Sequence, residues 1–484
     1  MTETLTKPML IDGEDVVSSE PPVTSVNPAT GQTNHRVHTA GPAEIDRAVA
    51  SASRAAALVS WRGMLPPQRA AVLHRIGELM LRDAEKFALL QRIENGKVHA
   101  ECMVQVRSAA ATFRYYASVC ETLESAVTPS RGNYLSMAVY EPYGVVVAIT
   151  PWNSPMTMEA QKVAPALAAG NAVILKPSEL TPSPALLLGR IALEAGLPPG
   201  LLNVLPGTGL AVGSALVAHA GVKMVSFTGG TASGRRIAGV AAGKLMPVAL
   251  ELGGKSPHIV FADADLDAAA EAVAGGIFEG SGQSCVAGSR LFVQRDVYAR
   301  FVEKLVAKAR GVKLGLPDRH DSKMGPIASF AHRAHIAAMV DAARDAGAAV
   351  LVGGEAPRDA ALAAGAFYLP TVIEGVSNRS DIARNEIFGP VICAMPFDNE
   401  EDLVAQANDS VFGLAAGIWT RDFPRAWRVA RALEAGTVWV NTYKQLSIAT
   451  PFGGFKDSGL GREKGTGGLR LYQQAKGIYF GLDA

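Results

Sequence analysis

Short runs of β-branched and other apolar residues alternate along the chain with longer segments whose apolar positions recur at helical spacing. This alternation predicts α/β units, in which parallel strands are joined by crossover helices. In a first series we expect a helix over residues 182–195, because prolines occupy its first turn and Gly196 follows its end. The strands expected in this series cover residues 145–149, 172–176, 202–205 and 224–227.

A second α/β series begins near His258 with the run HIVFADAD. Helical spacing over residues 266–278, and again from 297 to about 310, flanks the β-rich run RLFVQ, which starts at Arg290. The later β-rich runs are AVLVGG, YLPTVIEGV, VICAMPF, AAGIWT and GTVWVN. Two such series indicate two α/β lobes, and the cleft between two lobes is a common place for a ligand.

Two β-like segments, residues 134–142 and 477–482, belong to neither series. A terminal strand with an exposed apolar edge invites association with another chain. We therefore interpret both segments as a small extension that builds an oligomer interface. The alternative is that they form the edge of one lobe.

Composition and charge describe a folded chain without a nucleic-acid partner. The 484 residues suggest about three domains of roughly 150 residues each. The 46 Lys and Arg nearly balance the 45 Asp and Glu, and neither sign forms a long block, which excludes the basic surface typical of nucleic-acid binders. We expect small molecules as partners.

The N-terminal segment and the cysteines predict a cytoplasmic protein. The chain begins with acidic and polar residues where a signal peptide needs a basic start and an apolar run, and no apolar stretch is long enough to cross a membrane. The four cysteines form no Cys-x-x-Cys pair and have no His pair at metal-ligand spacing beside them. We therefore expect reduced thiols, no disulfide framework and no metal site.

A glycine-rich turn is the first candidate for binding phosphate. The run FTGGTASG, residues 227–234, leads from an expected strand into a helix-like segment, so its backbone N–H groups can approach a pyrophosphate. A plain strand-to-helix turn would have the same pattern, and both interpretations stay open. The run GGKSP at 253–257 is not a P-loop, because Ala249 stands where that motif requires glycine.

Carboxylates at two strand ends are further candidates. Glu179, in KPSE, can accept both ribose hydroxyls of an adenosine and repels a 2′-phosphate, which favours NAD over NADP; it can equally be a solvated residue at a helix start. Glu251 ends the β-like run PVALEL, where desolvation raises a carboxyl pKa toward the range of a general base. The alternative is that a nearby lysine or backbone N–H satisfies Glu251.

Asn153 and Cys285 are candidates for carbonyl chemistry. Asn153, in TPWNSP, follows an expected strand, where its amide can build an oxyanion hole or cap the next helix. Cys285 lies among small and polar residues in SGQSCVAGS. Because a free cysteine is more often a buried small hydrophobe than a nucleophile, the rest of the chain has to decide its role.

Seven motifs occur in one order along the chain: PWN at 151, KPSE at 176, FTGG at 227, ELGGKSP at 251, GQSC at 282, NEIFGPV at 385 and PFGGFKDSG at 451. Together they resemble the aldehyde dehydrogenase superfamily, and the resemblance extends from VNPATG at 26–31 to the terminal strand. It implies an α/β fold with a Rossmann-like NAD-binding domain, an α/β catalytic domain and a small β oligomerisation domain. The implied NAD-binding domain covers residues 1–122 and 143–253, and the implied catalytic domain covers residues 254–453. The implied oligomerisation domain covers residues 123–142 and 469–484, and residues 454–468 form a connecting segment.

The resemblance implies a non-phosphorylating, hydrolytic enzyme that oxidises an aldehyde. Cys285 looks like the nucleophile, and Asn153 with the Cys285 backbone N–H looks like the oxyanion hole. Glu251 looks like the base that activates water to hydrolyse the thioester. Lys162 and Glu463 match positions of a proton relay behind Glu251.

NAD is the implied cofactor, with NADP as a possible substitute. Many relatives have serine at the position of Gly230, so one hydroxyl contact to the pyrophosphate is missing here. The implied cofactor contacts are Thr150, Pro151, Trp152, Lys176, Ser178, Glu179, Gly209, Phe227, Thr228, Gly229, Gly230, Leu252, Gly253, Glu386 and Phe388.

The implied substrate pocket departs from relatives that line it with Phe and Trp for simple aldehydes. A polar pocket gives up apolar burial and offers hydrogen bonds instead. We therefore predict a polar or functionalised aldehyde, with Glu279 meeting a cationic or hydroxylated group. The matching positions are Ser154, Met158, Gln161, Glu279, Ser284, Gln445, Leu446 and Phe452.

Two other functions are compatible with the same fold. One is a CoA-acylating dehydrogenase, although such enzymes tend to lack the general base that Glu251 represents. The other is a non-catalytic structural or binding protein, although Cys285, Glu251 and Asn153 are all present. The resemblance also implies a homo-oligomer, either a dimer or a tetramer, in which segments 134–142 and 477–482 take part.

Overall fold

The structure, a computed structural model, describes residues 6–482. The outermost parts of two predicted domain ranges, residues 1–5 and 483–484, lie outside the described residues. Within residues 6–482 the chain forms two large sheets and three small ones. No helix in this range is long and apolar enough to cross a membrane.

The strands of residues 6–482 vary from two to nine residues in length. They are β1 (Thr6–Lys7), β2 (Met9–Ile11), β3 (Glu14–Val16), β4 (Val23–Val26), β5 (Thr33–Val37), β6 (Ala126–Thr128), β7 (Tyr134–Pro142), β8 (Val145–Ile149), β9 (Ala172–Lys176), β10 (Leu202–Val204), β11 (Met224–Thr228), β12 (Val248–Glu251), β13 (Pro257–Val260), β14 (Arg290–Gln294), β15 (Ala349–Val352), β16 (Thr371–Glu374), β17 (Val391–Phe397), β18 (Phe412–Gly413), β19 (Ala415–Trp419), β20 (Thr437–Val440), β21 (Phe455–Lys456), β22 (Gly459–Leu460) and β23 (Gln473–Gly481).

The α-helices of the same residues are mostly amphipathic elements that cover the sheets. They are α1 (Pro42–Ala57), α2 (Val59–Arg62), α3 (Pro66–Arg82), α4 (Ala84–Asn95), α5 (His99–Thr122), α6 (Pro155–Ala168), α7 (Ser183–Glu194), α8 (Ser214–Ala218), α9 (Thr231–Gly243), α10 (Leu266–Phe278), α11 (Tyr298–Gly311), α12 (Phe330–Asp345), α13 (Asp381–Arg384), α14 (Glu400–Asn408), α15 (Phe423–Ala432) and α16 (Gly465–Arg470).

The first series of predicted units forms an eight-stranded sheet with the order β22-β12-β11-β8-β9-β10-β2-β3. Its five central strands, β12 to β10, are parallel. In the register of this sheet Ile149 lies opposite Lys176, and Thr228 lies opposite Glu251. The carboxyl ends of four strands therefore meet at one edge, which is where ligands bind in open α/β sheets.

The second series forms a seven-stranded sheet with the order β15-β16-β17-β14-β13-β19-β20. Six of its strands are parallel, and β15 pairs antiparallel with β16. The predicted helix at 266–278 and the predicted run VICAMPF have the bounds of α10 and β17. The helix expected from 297 is a short 3-10 turn at Arg295–Val297 followed by α11.

The two β-like segments that belong to neither predicted series pair with each other. β7 and β23 form an antiparallel ladder from Gln473 opposite Pro142 to Gly481 opposite Tyr134, and β6 adds a third strand. The terminal strand begins four residues before the predicted one because Gln473 to Lys476 also pair with β7, although this run, QQAK, has no apolar strand pattern. β23 has a free edge within the described chain.

The N-terminal 120 residues hold elements for which the pattern gave no specific prediction. β2 pairs antiparallel with β10, where Leu10 lies opposite Val204, and extends the first sheet with β3. The helices α3, α4 and α5 pack together beside α6, and their apolar faces join the core of the first sheet. This helical layer supports α6, which carries several of the predicted site residues.

Candidate active site

A tight turn after α10 presents Cys285. Gly280, Ser281 and Gly282 all have left-handed backbone angles, with φ of 63°, 57° and 70°. A side chain at Gly282 would lie 2.1 Å from the carbonyl oxygen of Gly389, so this position requires glycine. The Ser281 hydroxyl donates to the carbonyl of Gly325 at 2.8 Å. Contacts with backbone carbonyls thus fix the turn that positions the Cys285 thiol.

The Cys285 thiol lies half-buried against an apolar cluster that includes Val286, Trp439, Tyr443 and Phe452. The Tyr443 hydroxyl donates to the Val286 carbonyl at 2.9 Å and fixes the chain just after the thiol. Burial, with smaller contributions from Glu386 and Glu251, raises the pKa of Cys285 to about 12. The resting thiol is therefore protonated at neutral pH, and nucleophilic attack requires a proton acceptor.

The Asn153 amide faces the cysteine turn. Its Nδ2 donates to the Gln283 carbonyl at 3.0 Å. The following helix, α6, has Ser154 at its N-cap, so Asn153 does not serve as the cap. A side-chain amide has two N–H donors, and Asn153 can offer the second one to an oxyanion beside Cys285.

Glu251 ends β12 as a buried carboxyl. Its Oε2 has no hydrogen-bond partner within residues 6–482, and a side chain at Gly453 would lie 2.9 Å from its Oε1. Burial and the neighbouring Glu463 raise the pKa of Glu251 well above its usual range, against the opposing effect of Lys162. A carboxyl with such a shift is suited to general base catalysis.

A buried polar network lies behind Glu251. The Lys162 ammonium donates to Glu463 Oε1 at 2.6 Å and to the Ser226 hydroxyl at 3.1 Å. The Tyr472 hydroxyl donates to the Ser226 hydroxyl at 3.0 Å. The sequence did not point to Ser226 or Tyr472, because each lies in an apolar strand or turn without a local motif.

Gln161 belongs to this network. It is almost fully buried, and its Nε2 donates to Glu463 Oε2. It therefore reaches the back of the site beside the predicted relay, and its predicted place in the pocket wall stays a prediction.

The other predicted pocket residues lie at the start of α6, in the turn after α10 and in the loop after β20. The Ser154 hydroxyl accepts from Gln105 at 3.1 Å, a partner on α5 that sequence reasoning missed. Glu279 is exposed and lies near Lys444. The Glu279 carboxylate raises the pKa of the Lys444 ammonium, but burial lowers that pKa more strongly. The remaining predicted positions are partly or fully accessible, apart from the buried Phe452: Met158, Ser284, Gln445 and Leu446.

The edge where four parallel strands end forms a polar cradle. The hydroxyls of Thr150 and Thr228 are buried without a hydrogen-bond partner within residues 6–482. Lys176 is buried, and its ammonium lies 3.5 Å from the Glu179 carboxylate. Gly230 is the N-cap of α9, and a side chain there would meet nothing within 4 Å. The unpaired threonine hydroxyls and the open space at the N-terminus of α9 are suited to binding a dinucleotide.

The predicted contacts Pro151, Ser178, Phe227, Gly229 and Leu252 occupy the same strand ends or the residues just after them. Gly209 follows the next strand of the same sheet, β10, and Gly213 of its short helix packs beside Ile149 and Lys176 at the strand ends. Gly209 is exposed and begins the short π-helix Gly209–Gly213, which Thr208 caps.

Glu386 and Phe388 approach this cradle from the second lobe. Glu386 Oε1 accepts from the Gly254 N–H at 3.0 Å, and a side chain at Gly253 would lie 2.4 Å from Glu386 Oε2. Burial raises the pKa of Glu386 to about 7. The Phe388 ring packs edge-on against Trp152 with 5.3 Å between centroids. The predicted cofactor residues of both lobes are thus neighbours.

His332 is a residue near this position that the sequence did not single out. Its Nε2 lies 2.8 Å from the Phe388 carbonyl, and its ring contacts that of Trp152. It anchors Phe388, whose φ of 55° is unusual for an aromatic residue.

Within residues 6–482 no group of three or more His, Cys, Asp or Glu side chains is arranged to hold a metal ion. All four cysteines are free thiols.

Comparison with known proteins identifies the family. A model of the aldehyde dehydrogenase family matches residues 16–478. A betaine aldehyde dehydrogenase of Cereibacter sphaeroides is 41% identical over 462 residues, which cover 95% of this chain and 94% of that protein.

Solved structures agree with this match. A betaine aldehyde dehydrogenase of Staphylococcus aureus in complex with NAD+ superposes with a TM-score of 0.97 at 35% identity, covering 99% of this chain and 95% of that chain. An NAD-dependent aldehyde dehydrogenase of Sinorhizobium meliloti gives a TM-score of 0.96 at 36% identity, covering 100% and 96%. The predicted fold class and resemblance are confirmed: the chain belongs to the aldehyde dehydrogenase family.

Proposed function

We propose that the protein oxidises an aldehyde to its carboxylic acid with NAD as the hydride acceptor. The observation that carries this proposal is the convergence of a thiol, an amide and a buried carboxyl, from three separate segments, next to a polar strand edge suited to a dinucleotide. Each of these groups matches one requirement of covalent aldehyde oxidation.

The first half of the reaction forms a bond between Cys285 Sγ and the aldehyde carbon. The thiol proton passes to solvent water, and the carbonyl oxygen becomes an oxyanion that Asn153 Nδ2 and the Cys285 backbone N–H stabilise. Bound NAD+ supplies the acceptor for the hydride that leaves this carbon. The product on the enzyme is a thioester at Cys285.

The second half of the reaction hydrolyses the thioester. Glu251 removes a proton from a water molecule, the resulting hydroxide attacks the thioester carbon, and the bond to Sγ breaks to return the thiolate. Glu251 then has to pass on its proton. Glu463 and Lys162 supply a route for this proton. Glu463 lies close enough to raise the pKa of Glu251, and Lys162 forms an ion pair with Glu463.

Replacing Asn153 by alanine should lower kcat by about 100- to 1,000-fold, the cost typical of losing one oxyanion donor. The reason is that the carbonyl oxygen carries its full charge only after Cys285 attacks. Steady-state kinetics should show the loss mainly in kcat. Asn133→Ala, at an asparagine outside the site, serves as the matched control and should leave kcat within twofold; an unchanged kcat in Asn153→Ala would remove this residue from the mechanism.

NAD is the proposed cofactor because Glu179 lies at the carboxyl end of β9. Its carboxylate is 42% exposed, so it can accept from ribose hydroxyls, and its negative charge opposes a 2′-phosphate. Glu179→Gln should therefore raise the ratio of kcat/KM for NADP over NAD by about tenfold, as the loss of about 1.4 kcal/mol of repulsion predicts. If the ratio stays constant, Glu179 does not select the cofactor.

We propose a polar or functionalised aldehyde as substrate, because Ser154 and Gln105 form a hydrogen-bonded pair at the start of α6. In addition, Gln445 is exposed, and its carbonyl accepts from Trp439 of the apolar cluster around Cys285. Betaine aldehyde, named for the relatives, is one such compound. A panel of polar and simple aldehydes tests the substrate and the chemistry together. NADH formation without added CoA supports hydrolysis to the acid, whereas a strict requirement for CoA would contradict it.

We also propose a homo-oligomer built on the three-stranded sheet. β23 has a free edge within the described residues, and Tyr479 and Phe480 on this strand are exposed. A strand edge that carries exposed apolar side chains invites pairing with another chain. Sedimentation analysis can distinguish a dimer from a tetramer, and a monomer would contradict the proposal. The cytoplasmic location stays a prediction.

A further inference from the structure

Lys464 adopts a backbone conformation that is normally restricted to glycine. Its φ is 62° and its ψ is 177°. For any residue with a Cβ this region is strained, and such strain persists only where the surrounding structure enforces it; it is concentrated at functional sites. Lys464 belongs to none of the motifs in the sequence.

Backbone pairing on both sides of Lys464 enforces this conformation. The N–H of Phe452 donates to the Glu463 carbonyl, and the N–H of Glu463 donates to the Phe452 carbonyl, both at 2.8 Å. On the other side, the N–H of Gly465 donates to the Ile448 carbonyl at 2.8 Å. The lysine is held in place, and its ammonium lies 5.1 Å from the centroid of the Phe452 ring.

The Lys464 ammonium is not neutralised by a carboxylate. Within the described chain it forms no hydrogen bond and no ion pair, since the adjacent Glu463 is engaged by Lys162 and Gln161. Lys464 as a whole is half-buried.

This charge lies close to the reacting groups. Phe452 packs in the same apolar cluster as Cys285. The ammonium lowers the pKa of Glu251, and Glu463, Cys285 and Glu251 raise the pKa of Lys464 against the larger effect of burial. A substrate bound at Cys285 therefore lies near an ammonium that no hydrogen bond or ion pair engages within residues 6–482.

We propose that Lys464 determines substrate specificity by favouring aldehydes that carry a carboxylate or another anionic group, and by disfavouring cationic ones. This inference rests on the proposed function and narrows its substrate class. An opposite charge attracts and a like charge repels across a desolvated site. A quaternary ammonium group binds on aromatic faces, and Phe452, the one aromatic residue among the eight predicted pocket positions, already has a cation on its ring.

The test compares two pairs of aldehydes with matched shapes, so that only charge differs within a pair. Succinic semialdehyde is the anion and isohexanal its neutral counterpart; betaine aldehyde is the cation and tert-butylacetaldehyde its neutral counterpart. We expect the unmodified enzyme to prefer the anion to its counterpart by about tenfold in kcat/KM, and the neutral compound to betaine aldehyde by a similar factor, as typical charge pairs predict. Potassium chloride should weaken both preferences.

In Lys464→Met both ratios should fall to within about twofold of one, and in Lys464→Arg they should persist. Because each ratio is taken within one variant, a general loss of activity cancels. Lys464→Gly should also lose both preferences but resist urea better than the unmodified protein, since glycine relieves the backbone strain. Lys308→Met, at an exposed lysine of α11, is the matched control and should keep both ratios.

Two results overturn the inference alone: equal rates for the anion and its counterpart in an active enzyme, or ratios in Lys464→Met that match those of the unmodified protein. A protein that oxidises none of the four aldehydes, and none of the wider panel of polar and simple aldehydes, would instead contradict the proposed function, and with it this inference.

Discussion

Cys285→Ala is expected to lower kcat/KM for NAD-dependent aldehyde oxidation by about 10⁴-fold or more, which is the cost of removing a covalent nucleophile. No other cysteine can substitute for it. Cys102 and Cys393 are buried, and burial raises the pKa of Cys102 to about 12. NADH formation from a polar aldehyde measures the effect.

The matched control is Cys120→Ala. Cys120 is half-buried, as Cys285 is, but its thiol contacts the carbonyl oxygen of Ala168, on the far end of α6. This variant should retain activity within about twofold, since surface and boundary substitutions outside a site rarely perturb function. Activity that survives Cys285→Ala would remove the proposed covalent mechanism, whatever the control shows.

Glu251→Gln is expected to block the second half of the reaction more than the first. The amide keeps the shape of the carboxyl but cannot accept a proton from water, so kcat should fall by about 100- to 10,000-fold. Rapid mixing should still record a burst of NADH that approaches one equivalent per subunit. Slow release of the acid should then limit turnover.

The pH dependence carries a second signature of Glu251. A general base acts in its ionised form, and burial raises the pKa of this carboxyl. The kcat of the unmodified enzyme should therefore rise as pH rises through that raised pKa, and Glu251→Gln should lose this dependence.

Glu159→Gln is the control for the Glu251 variant, because Glu159 is also a fully buried carboxyl without a hydrogen-bond partner in the described chain. It should keep both the burst and the steady rate. A Glu251→Gln enzyme without a burst, yet with normal folding, would place Glu251 in the first half of the reaction instead.

Local patterns predicted the elements of both large sheets well, because their strands are short apolar runs between glycines or prolines and their helices are amphipathic. Val145–Ile149, Leu266–Phe278 and Val391–Phe397 have the expected bounds. The N-terminal strands were not predicted, because β2 and β3 become a sheet edge only by pairing with β10, almost 200 residues later. Such pairing leaves little local signal.

The residues of the candidate site also differ in whether a local sequence pattern identifies them. Cys285, Glu251 and Asn153 lie in short motifs and were identified from their order in the chain. Ser226, Tyr472, Gln105 and His332 were not, since each acts through a side-chain contact between segments far apart in sequence. Lys464 follows Glu463, a residue of the predicted proton relay, yet its backbone conformation and its place on Phe452 are visible only in three dimensions.

The central claim is that the aldehyde becomes a thioester on Cys285 before water releases it. Its most direct test is the intact mass of Glu251→Gln after brief incubation with a polar aldehyde and NAD+, followed by acid quenching and peptide mapping. The account predicts an adduct on the Cys285 peptide equal to the mass of the aldehyde less two hydrogen atoms, absent without NAD+ and absent in the Cys285→Ala, Glu251→Gln double variant. NADH formation with no such adduct, or an adduct on another residue, would contradict it.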